Sequence, residues 1–278
     1  MRYITMSGLL VLLLLTPMRI ASGQSPVSDH SEYASIVGLI PFDRSGHGSF
    51  PATGFVVSSE GLVLTAAHAV YRLAQKPTHY RLVVIWVNFQ GEREYFLGTV
   101  VCSQPLPYDP EKAGPISAYT KDLAVVQIEP VPLEPVPFWP RWPQEISLPL
   151  PGGLQYSYVA HTDALPAFAP IRLANYNPHV GERIHVPGYS HISPIPGLFT
   201  GKGSVEQTFT GADGSPLFGM FYSNPPRPGA SGSPVIDDSD GTVVGLLAWG
   251  AKSPGDDQTR GGGVSNAALH HPCGGETL

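Results

Sequence analysis

The feature that most constrains this chain is its division into many short apolar runs separated by glycine and proline. The 278 residues include 31 Gly and 30 Pro, which interrupt helices and favour turns. Short runs rich in β-branched and aromatic residues between such breaks are typical of strands. The sequence therefore predicts an all-β protein. The predicted strands cover residues 36–40, 54–57, 62–65, 82–89, 95–101 and 123–128, and then 182–186, 203–209, 217–222, 235–236, 243–247 and 262–265.

The two sets of runs are separated by a stretch dense in proline, residues 129–153. Proline lacks a backbone donor, so we expect this stretch to be an extended surface connector without regular strand pairing. The predicted organisation is a first β unit over residues 24–135, a connector over 136–155, a second β unit over 156–265 and a tail over 266–278. The tail contains His-His-Pro-Cys at 270–273. Two adjacent histidines and one cysteine do not form a closed metal site, so we expect a solvated tail and no metal.

Residues 1–23 have the pattern of a secretory signal peptide. An arginine at position 2 precedes the apolar run 9–15, and small residues occupy 21–23. The alternative is an uncleaved membrane anchor, but the run is short for a hydrocarbon core of about 30 Å. We therefore expect a secreted or periplasmic protein with no membrane attachment after signal removal. The sequence does not fix its oligomeric state.

Charge and cysteine content exclude some classes of protein. The formal net charge is −6 and only 14% of residues are charged, which gives no basic surface for nucleic acid. Export permits a disulfide between Cys102 and Cys273, the two cysteines of the chain. Their spacing does not decide whether they pair.

Three short segments have residue types suited to hydrolysis. They are Thr-Ala-Ala-His ending at His68, Asp122 before an apolar run, and Gly-Ala-Ser-Gly-Ser-Pro around Ser231. Taken singly they also fit a helix start, a strand cap and an ordinary turn. A serine hydroxyl becomes an effective nucleophile when an imidazole takes its proton and a carboxylate orients that imidazole. The order His, Asp, Ser, with strand-like sequence beside each, predicts a catalytic triad of His68, Asp122 and Ser231.

The surroundings of these residues suggest how each is held. A hairpin over residues 54–65 is expected to present His68 at the end of its second strand, and Asp122 is expected at the mouth of a buried strand. A developing oxyanion requires backbone N–H donors, which we assign to Gly229 and Ser231. A glycine at 229 permits the unusual backbone conformation that this arrangement requires.

These motifs together resemble those of trypsin/chymotrypsin-like serine peptidases of the bacterial style, and are similar to glutamyl endopeptidases and to heat-shock periplasmic peptidase domains. The resemblance implies two antiparallel β-barrels, a chymotrypsin-like fold, with the active site between them. His68 and Asp122 would come from the first barrel and Ser231 from the second. It also implies a polypeptide substrate, an acyl-enzyme on Ser231 and no cofactor.

The resemblance also suggests substrate contacts. Ala248, Trp249 and Gly250 stand where the family pairs its backbone with an extended substrate, although Trp249 could instead be an ordinary core aromatic. Pro225 stands at the base of the specificity pocket and carries no charge, which favours an uncharged pocket. Arg227 leaves a preference for acidic side chains open.

Two further functional classes and one question of activation remain. A catalytically weak or inactive binding module on the same fold would lack a triad member, and an esterase would place Gly-x-Ser-x-Gly between a strand and a helix. Here Ser233 replaces the last glycine and a strand follows.

The Ile-Val-Gly at 36–38 resembles the terminus that trypsin-like zymogens expose by cleavage, but Ala230 stands where they have the receiving Asp. We therefore predict that Ile36 begins an ordinary strand and that activity needs no cut there.

Overall fold

The structure, a computed structural model, describes residues 33–49, 51–88, 90–106, 121–134, 141–149, 155–189, 198–250 and 259–273. The predicted signal peptide, residues 1–23, lies outside these ranges. In the described part of the chain, no helix has the length and apolar character needed to cross a membrane.

Six antiparallel strands form a first closed barrel, and all six runs predicted for the first half are strands. They are β1 (Ile36–Asp43), β2 (Ala52–Val56), β3 (Leu62–Thr65), β4 (Tyr80–Val87), β5 (Arg93–Ser103) and β6 (Ala124–Glu129). In space their order is β4-β1-β2-β3-β6-β5, and pairing of β4 with β5 closes the ring. The barrel interior is filled by branched aliphatic and aromatic side chains contributed by every strand.

The predicted hairpin joins β2 to β3. Gly61 has a φ of +84°, a left-handed conformation that glycine adopts without steric cost, and its N–H donates to the Ser58 carbonyl at 3.1 Å. The structure differs just after β3. A helix that the sequence did not predict, α1 (Ala67–Gln75), follows Thr65 and buries an apolar face toward the barrel. His68 therefore lies in the first turn of a helix and not at the end of the strand.

The proline-rich stretch is partly regular. It contains β7 (Glu145–Pro149), which pairs antiparallel with β8 (Gln155–Ala160). The expectation of no regular pairing is wrong here, because β7 is the edge strand of the sheet and Pro149 is its last residue, where a missing N–H is tolerated. β8 pairs in parallel with β5 and extends the first sheet, whereas the sequence assigned residues 156–160 to the second unit.

A second closed barrel follows, and all six runs predicted for the second half are strands. They are β9 (Arg183–Tyr189), β10 (Leu198–Thr210), β11 (Pro216–Asn224), β12 (Pro234–Asp237), β13 (Val243–Gly250) and β14 (Arg260–Ser265). In space their order is β10-β11-β14-β13-β12-β9. The two closed six-stranded barrels confirm the predicted all-β, chymotrypsin-like architecture.

The segment after β14 is packed, so the expectation of a solvated tail is wrong. A short helix, α2 (Asn266–Leu269), buries Leu269 completely in the apolar core. Beyond it, Cys273 forms a disulfide with Cys102 of β5, with their Cα atoms 5.9 Å apart. Gln104 Nε2 also donates to the Pro272 carbonyl at 2.6 Å. The chain therefore returns from the second barrel to the first. Within the described ranges no group of three or more His, Cys, Asp or Glu is arranged to hold a metal.

Candidate active site

His68, which is half-buried, and Asp122, which is buried, form a doubly hydrogen-bonded pair. Asp122 lies two residues before β6 and is 5% exposed. Its Oδ2 is 2.5 Å from His68 Nδ1, and its Oδ1 accepts the backbone N–H of His68 at 2.9 Å. Because a carboxylate can only accept, Nδ1 must carry a proton. In the neutral imidazole, Nε2 is then the nitrogen that accepts a proton.

Ser231 lies in a tight turn between β11 and β12, which we call the serine turn (residues 229–233). Gly229 and Gly232 have φ values of +104° and +86°, in the region that side-chain-bearing residues avoid. The Ser233 N–H donates to the Ala230 carbonyl at 2.9 Å, and the Gly232 N–H donates to Leu247 of β13 at 2.8 Å. The two glycines therefore reverse the chain sharply, and the second barrel holds the reversal.

The serine turn contacts the first barrel close to His68. The Ser231 carbonyl accepts the N–H of Thr53 at 2.9 Å. A Cβ built on Gly232 would lie 2.2 Å from the Thr53 carbonyl oxygen and 2.9 Å from the N of Ala66, which is two residues before His68. The three residues predicted to form the triad are thus brought to one seam between the barrels, from α1, the segment just before β6 and the serine turn.

The backbone of the serine turn has a defined orientation. The carbonyls of Gly229, Ala230 and Ser231 each accept a hydrogen bond from within the protein. Because a peptide unit is planar, fixing the Ala230 carbonyl also fixes the opposite direction of the Ser231 N–H. Among the described residues, neither the Gly229 nor the Ser231 N–H donates to a protein acceptor. The direction of the Ser231 N–H is therefore fixed, and the Gly229 N–H lies at the start of the same turn.

The predicted substrate-binding residues lie on β13 and in the loop before the serine turn. Gly250 is exposed and Ala248 is buried. Trp249 is half-buried, packs on Gly262 of the neighbouring strand, and has its ring 6.2 Å from that of Phe209. Both expectations for Trp249, substrate wall and core aromatic, fit this intermediate burial.

In the loop after β11, Pro225 is half-buried. The Arg227 guanidinium lies over the Phe199 ring, 4.6 Å from its centroid, a cation–π arrangement. On the barrel side, Ala230 belongs to an apolar cluster with Met220 and Tyr222. Burial raises the pKa of the Tyr222 hydroxyl and keeps it neutral. The core directly behind the serine turn is therefore uncharged.

Sequence reasoning missed two threonines at this seam, Thr53 of β2 and Thr65 of β3. Both are fully buried, and Thr65 Oγ1 donates to the Thr53 carbonyl at 2.7 Å. The predicted strand started one residue after Thr53, and a threonine in a strand is unremarkable by pattern. The signal that identifies them is complete burial of a polar side chain, which the structure alone provides.

The chain resembles known proteins in sequence and in fold. Residues 52–246 match the family model described as a trypsin-like peptidase domain. Solved structures with a similar fold include Deg5, with 18% identity, a TM-score of 0.55 and coverage of 86% of this chain and 87% of that chain. The active form of the Rv3671c protease from M. tuberculosis has 17% identity, a TM-score of 0.52 and coverage of 89% and 83%. A serine endoprotease from Yersinia pestis has 16% identity, a TM-score of 0.51 and coverage of 88% and 65%. A search of curated protein sequences finds no significant match.

Proposed function

The chain belongs to the trypsin-like peptidase domain family and is a serine endopeptidase, and from this premise we propose that Ser231 is its nucleophile, His68 its general base and Asp122 the residue that orients the imidazole. The observation that carries the proposal is the hydrogen bond between His68 and the buried Asp122 carboxylate, at the seam where the serine turn meets the first barrel. Its geometry favours the tautomer in which Nε2 accepts a proton.

The reaction proposed for these residues has two halves. Ser231 Oγ attacks the substrate carbonyl carbon while His68 Nε2 takes the hydroxyl proton, and Asp122 stabilises the resulting imidazolium. The oxyanion is bound by the N–H groups of Gly229 and Ser231. Collapse breaks the C–N bond, the imidazolium protonates the leaving amine, and an acyl-enzyme remains on Ser231. Water then repeats the sequence and releases the acid.

For the substrate we propose an extended polypeptide with an uncharged side chain before the cleaved bond. The exposed backbone at Gly250 and the adjoining Ala248 and Trp249 would pair with the substrate as an added strand. Pro225 supplies no charge to the pocket, and the core behind the serine turn is apolar. The stacking of Arg227 on Phe199 supports a packing role for that guanidinium rather than capture of an acidic substrate.

We also propose that residues 1–23 direct export and that the mature enzyme works in the periplasm or outside the cell. The Cys102–Cys273 disulfide supports this proposal, because disulfides persist in oxidising compartments and are rare in the cytosol.

Covalent labelling tests the assignment. A small organophosphonate should label Ser231 and stop peptide hydrolysis, with the site read by mass spectrometry. Ser231→Ala should abolish both labelling and hydrolysis, whereas Ser233→Ala, two residues away in the same turn, should retain the label. A label on another serine would refute the assignment. A folded wild type that takes no label would be an inactive binding module, and one that cleaves esters but no peptide would be an esterase.

A further inference from the structure

Thr53 of the first barrel makes hydrogen bonds to two segments of the second barrel, and none of them was predicted from the sequence. It lies in β2 of the first barrel and is fully buried. Its N–H donates to the Ser231 carbonyl at 2.9 Å and its Oγ1 donates to the Gly229 carbonyl at 2.8 Å. The same Oγ1 accepts the N–H of Tyr189 in β9 at 2.8 Å. One side chain therefore holds the serine turn and a strand of the second barrel.

A continuous hydrogen-bond path runs from the neighbourhood of His68 to the serine turn. Thr65 is the last residue of β3 and stands three residues before His68. Its hydroxyl donates to the Thr53 carbonyl at 2.7 Å, and Thr53 in turn donates to Gly229 and Ser231. Both threonine side chains are fully buried, and a hydrogen bond shielded from water is electrostatically stronger than an exposed one.

We propose that the Thr53 hydroxyl is a positioning group for catalysis, holding the Gly229 carbonyl so that the serine turn keeps its alignment with His68. This inference rests on the proposed roles of Ser231, His68 and the Gly229 N–H. The restraint acts on the backbone at Gly229. Glycine with a φ of +104° has wide conformational freedom and no side chain to restrain its peptide units. The bond from Thr53 supplies a restraint on the peptide that follows Gly229.

The Thr53 hydroxyl lies in a tightly packed part of this seam. A Cβ built on Gly188 would lie 2.3 Å from Ser233 Oγ and 3.2 Å from both Thr53 Oγ1 and Ala230 Cβ. Removal of the hydroxyl would take away the hydrogen bond that the Gly229 carbonyl accepts from Thr53. Because a polar group that loses its partner is costly, we expect the turn to shift to a new conformation and misalign its N–H donors.

The central test compares Thr53→Val with Thr53→Ser. Valine keeps the shape of threonine but removes the hydroxyl, and leaves the Gly229 carbonyl and the Tyr189 N–H without a partner. We expect kcat to fall by about 100-fold, the loss that a displacement near 1 Å causes in an active site, with KM changed by about twofold or less. The rate of Ser231 labelling by the organophosphonate should fall in parallel. Thr53→Ser retains the hydroxyl and should recover most of both rates.

Thr242→Val is the matched control. Thr242 is also buried, and its Oγ1 donates to Asp240 Oδ1 at 2.7 Å, but it lies in the turn at the other end of β12 from Ser231. It should lower the urea midpoint of unfolding as Thr53→Val does while leaving kcat near wild type. If Thr53→Val does not fold, Thr53→Ala carries the same expectation with less steric demand.

The outcomes separate this inference from the proposed function. Wild-type kcat in folded Thr53→Val, or an equal loss of kcat in Thr242→Val, would show that Thr53 has only a structural role. Failure of Ser231 labelling in the wild type would instead overturn the triad assignment itself. A loss of kcat restored by serine, with KM retained, supports the positioning role.

Discussion

Replacement of Gly232 by alanine tests whether the barrels meet as described. Gly232 has a φ of +86°, and a Cβ there would lie 2.2 Å from the Thr53 carbonyl oxygen, 2.4 Å from Thr65 Oγ1 and 2.9 Å from the Ala66 nitrogen. Two of these three atoms are backbone, which cannot rotate out of the way. The methyl group can therefore be accommodated only if the serine turn and the first barrel move apart.

The expected cost has two parts. A left-handed conformation costs an alanine about 1–2 kcal/mol relative to glycine, and forcing a methyl group into a packed site costs about 1–3 kcal/mol more. Gly232→Ala should therefore lower the free energy of unfolding by about 2–5 kcal/mol. Gly241→Ala isolates the first part, because Gly241 has a φ of +70° and no heavy atom of the described residues lies within 4 Å of its Cβ position.

Urea unfolding of both variants, followed by far-ultraviolet circular dichroism, measures the difference. With unchanged m-values, the midpoint of Gly232→Ala should fall clearly below that of Gly241→Ala. Organophosphonate labelling of Ser231 should also slow in Gly232→Ala and stay at the wild-type rate in Gly241→Ala. Equal midpoints for the two variants would refute the reasoning, since the contact between the serine turn and the first barrel would then be absent in solution.

Four further predictions follow from charges and covalent links. Asp122→Asn should lower kcat by about 10⁴-fold through loss of the required tautomer; a loss below tenfold in a steady-state assay would assign the orienting role to another carboxylate. Burial raises the pKa of the Glu182 carboxyl above its usual 4.5, so the folded protein binds this proton more tightly than the unfolded protein does. The stability that comes from this bound proton therefore declines as the pH rises from the unfolded-state pKa through the folded-state pKa. Glu182→Gln removes this decline, and its urea midpoint relative to wild type should rise between about pH 4 and pH 7. Cys102→Ser should lower the free energy of unfolding by about 2–5 kcal/mol, and an unchanged midpoint would contradict a formed disulfide. The chain from residue 24 and a form that starts at Ile36 should give equal active-site titrations. Cleavage before Ile36 would create a new terminal ammonium, but Ala230 has no carboxylate to pair with it. A longer form that stays inert until it is cut would contradict this prediction.

The strands of both barrels could be predicted because their signals are local. The β2–β3 hairpin is an example, since an apolar run, a turn with Gly61 and a second run specify it without reference to the rest of the molecule. The same reasoning misses β7, because proline disfavours strand pairing and the edge position of this strand follows only from the assembled sheet. It also missed α1, whose apolar face is short and begins directly at the end of a strand.

The sequence suggests which residues form the candidate site but does not show what holds them in place. The order of His68, Asp122 and Ser231 along the chain is a sequence property, and the structure places all three near one seam. Thr53 contacts Gly229 across 176 positions of sequence. No local pattern encodes such a contact, because it depends on how two separately formed barrels approach each other. For the same reason the sequence alone does not decide whether Cys102 pairs with Cys273.

The Cys102–Cys273 bond also affects how this enzyme would respond to proteolysis. It joins positions 171 residues apart, so that most of the chain, including the exposed Leu133 in the proline-rich stretch, belongs to a covalent loop. A single nick within that loop leaves both fragments tethered, with one barrel still attached to the other. On a denaturing gel, enzyme that had cut itself once within the loop would migrate as one band without reductant and as two fragments with reductant. A nicked molecule would therefore remain in one covalent piece.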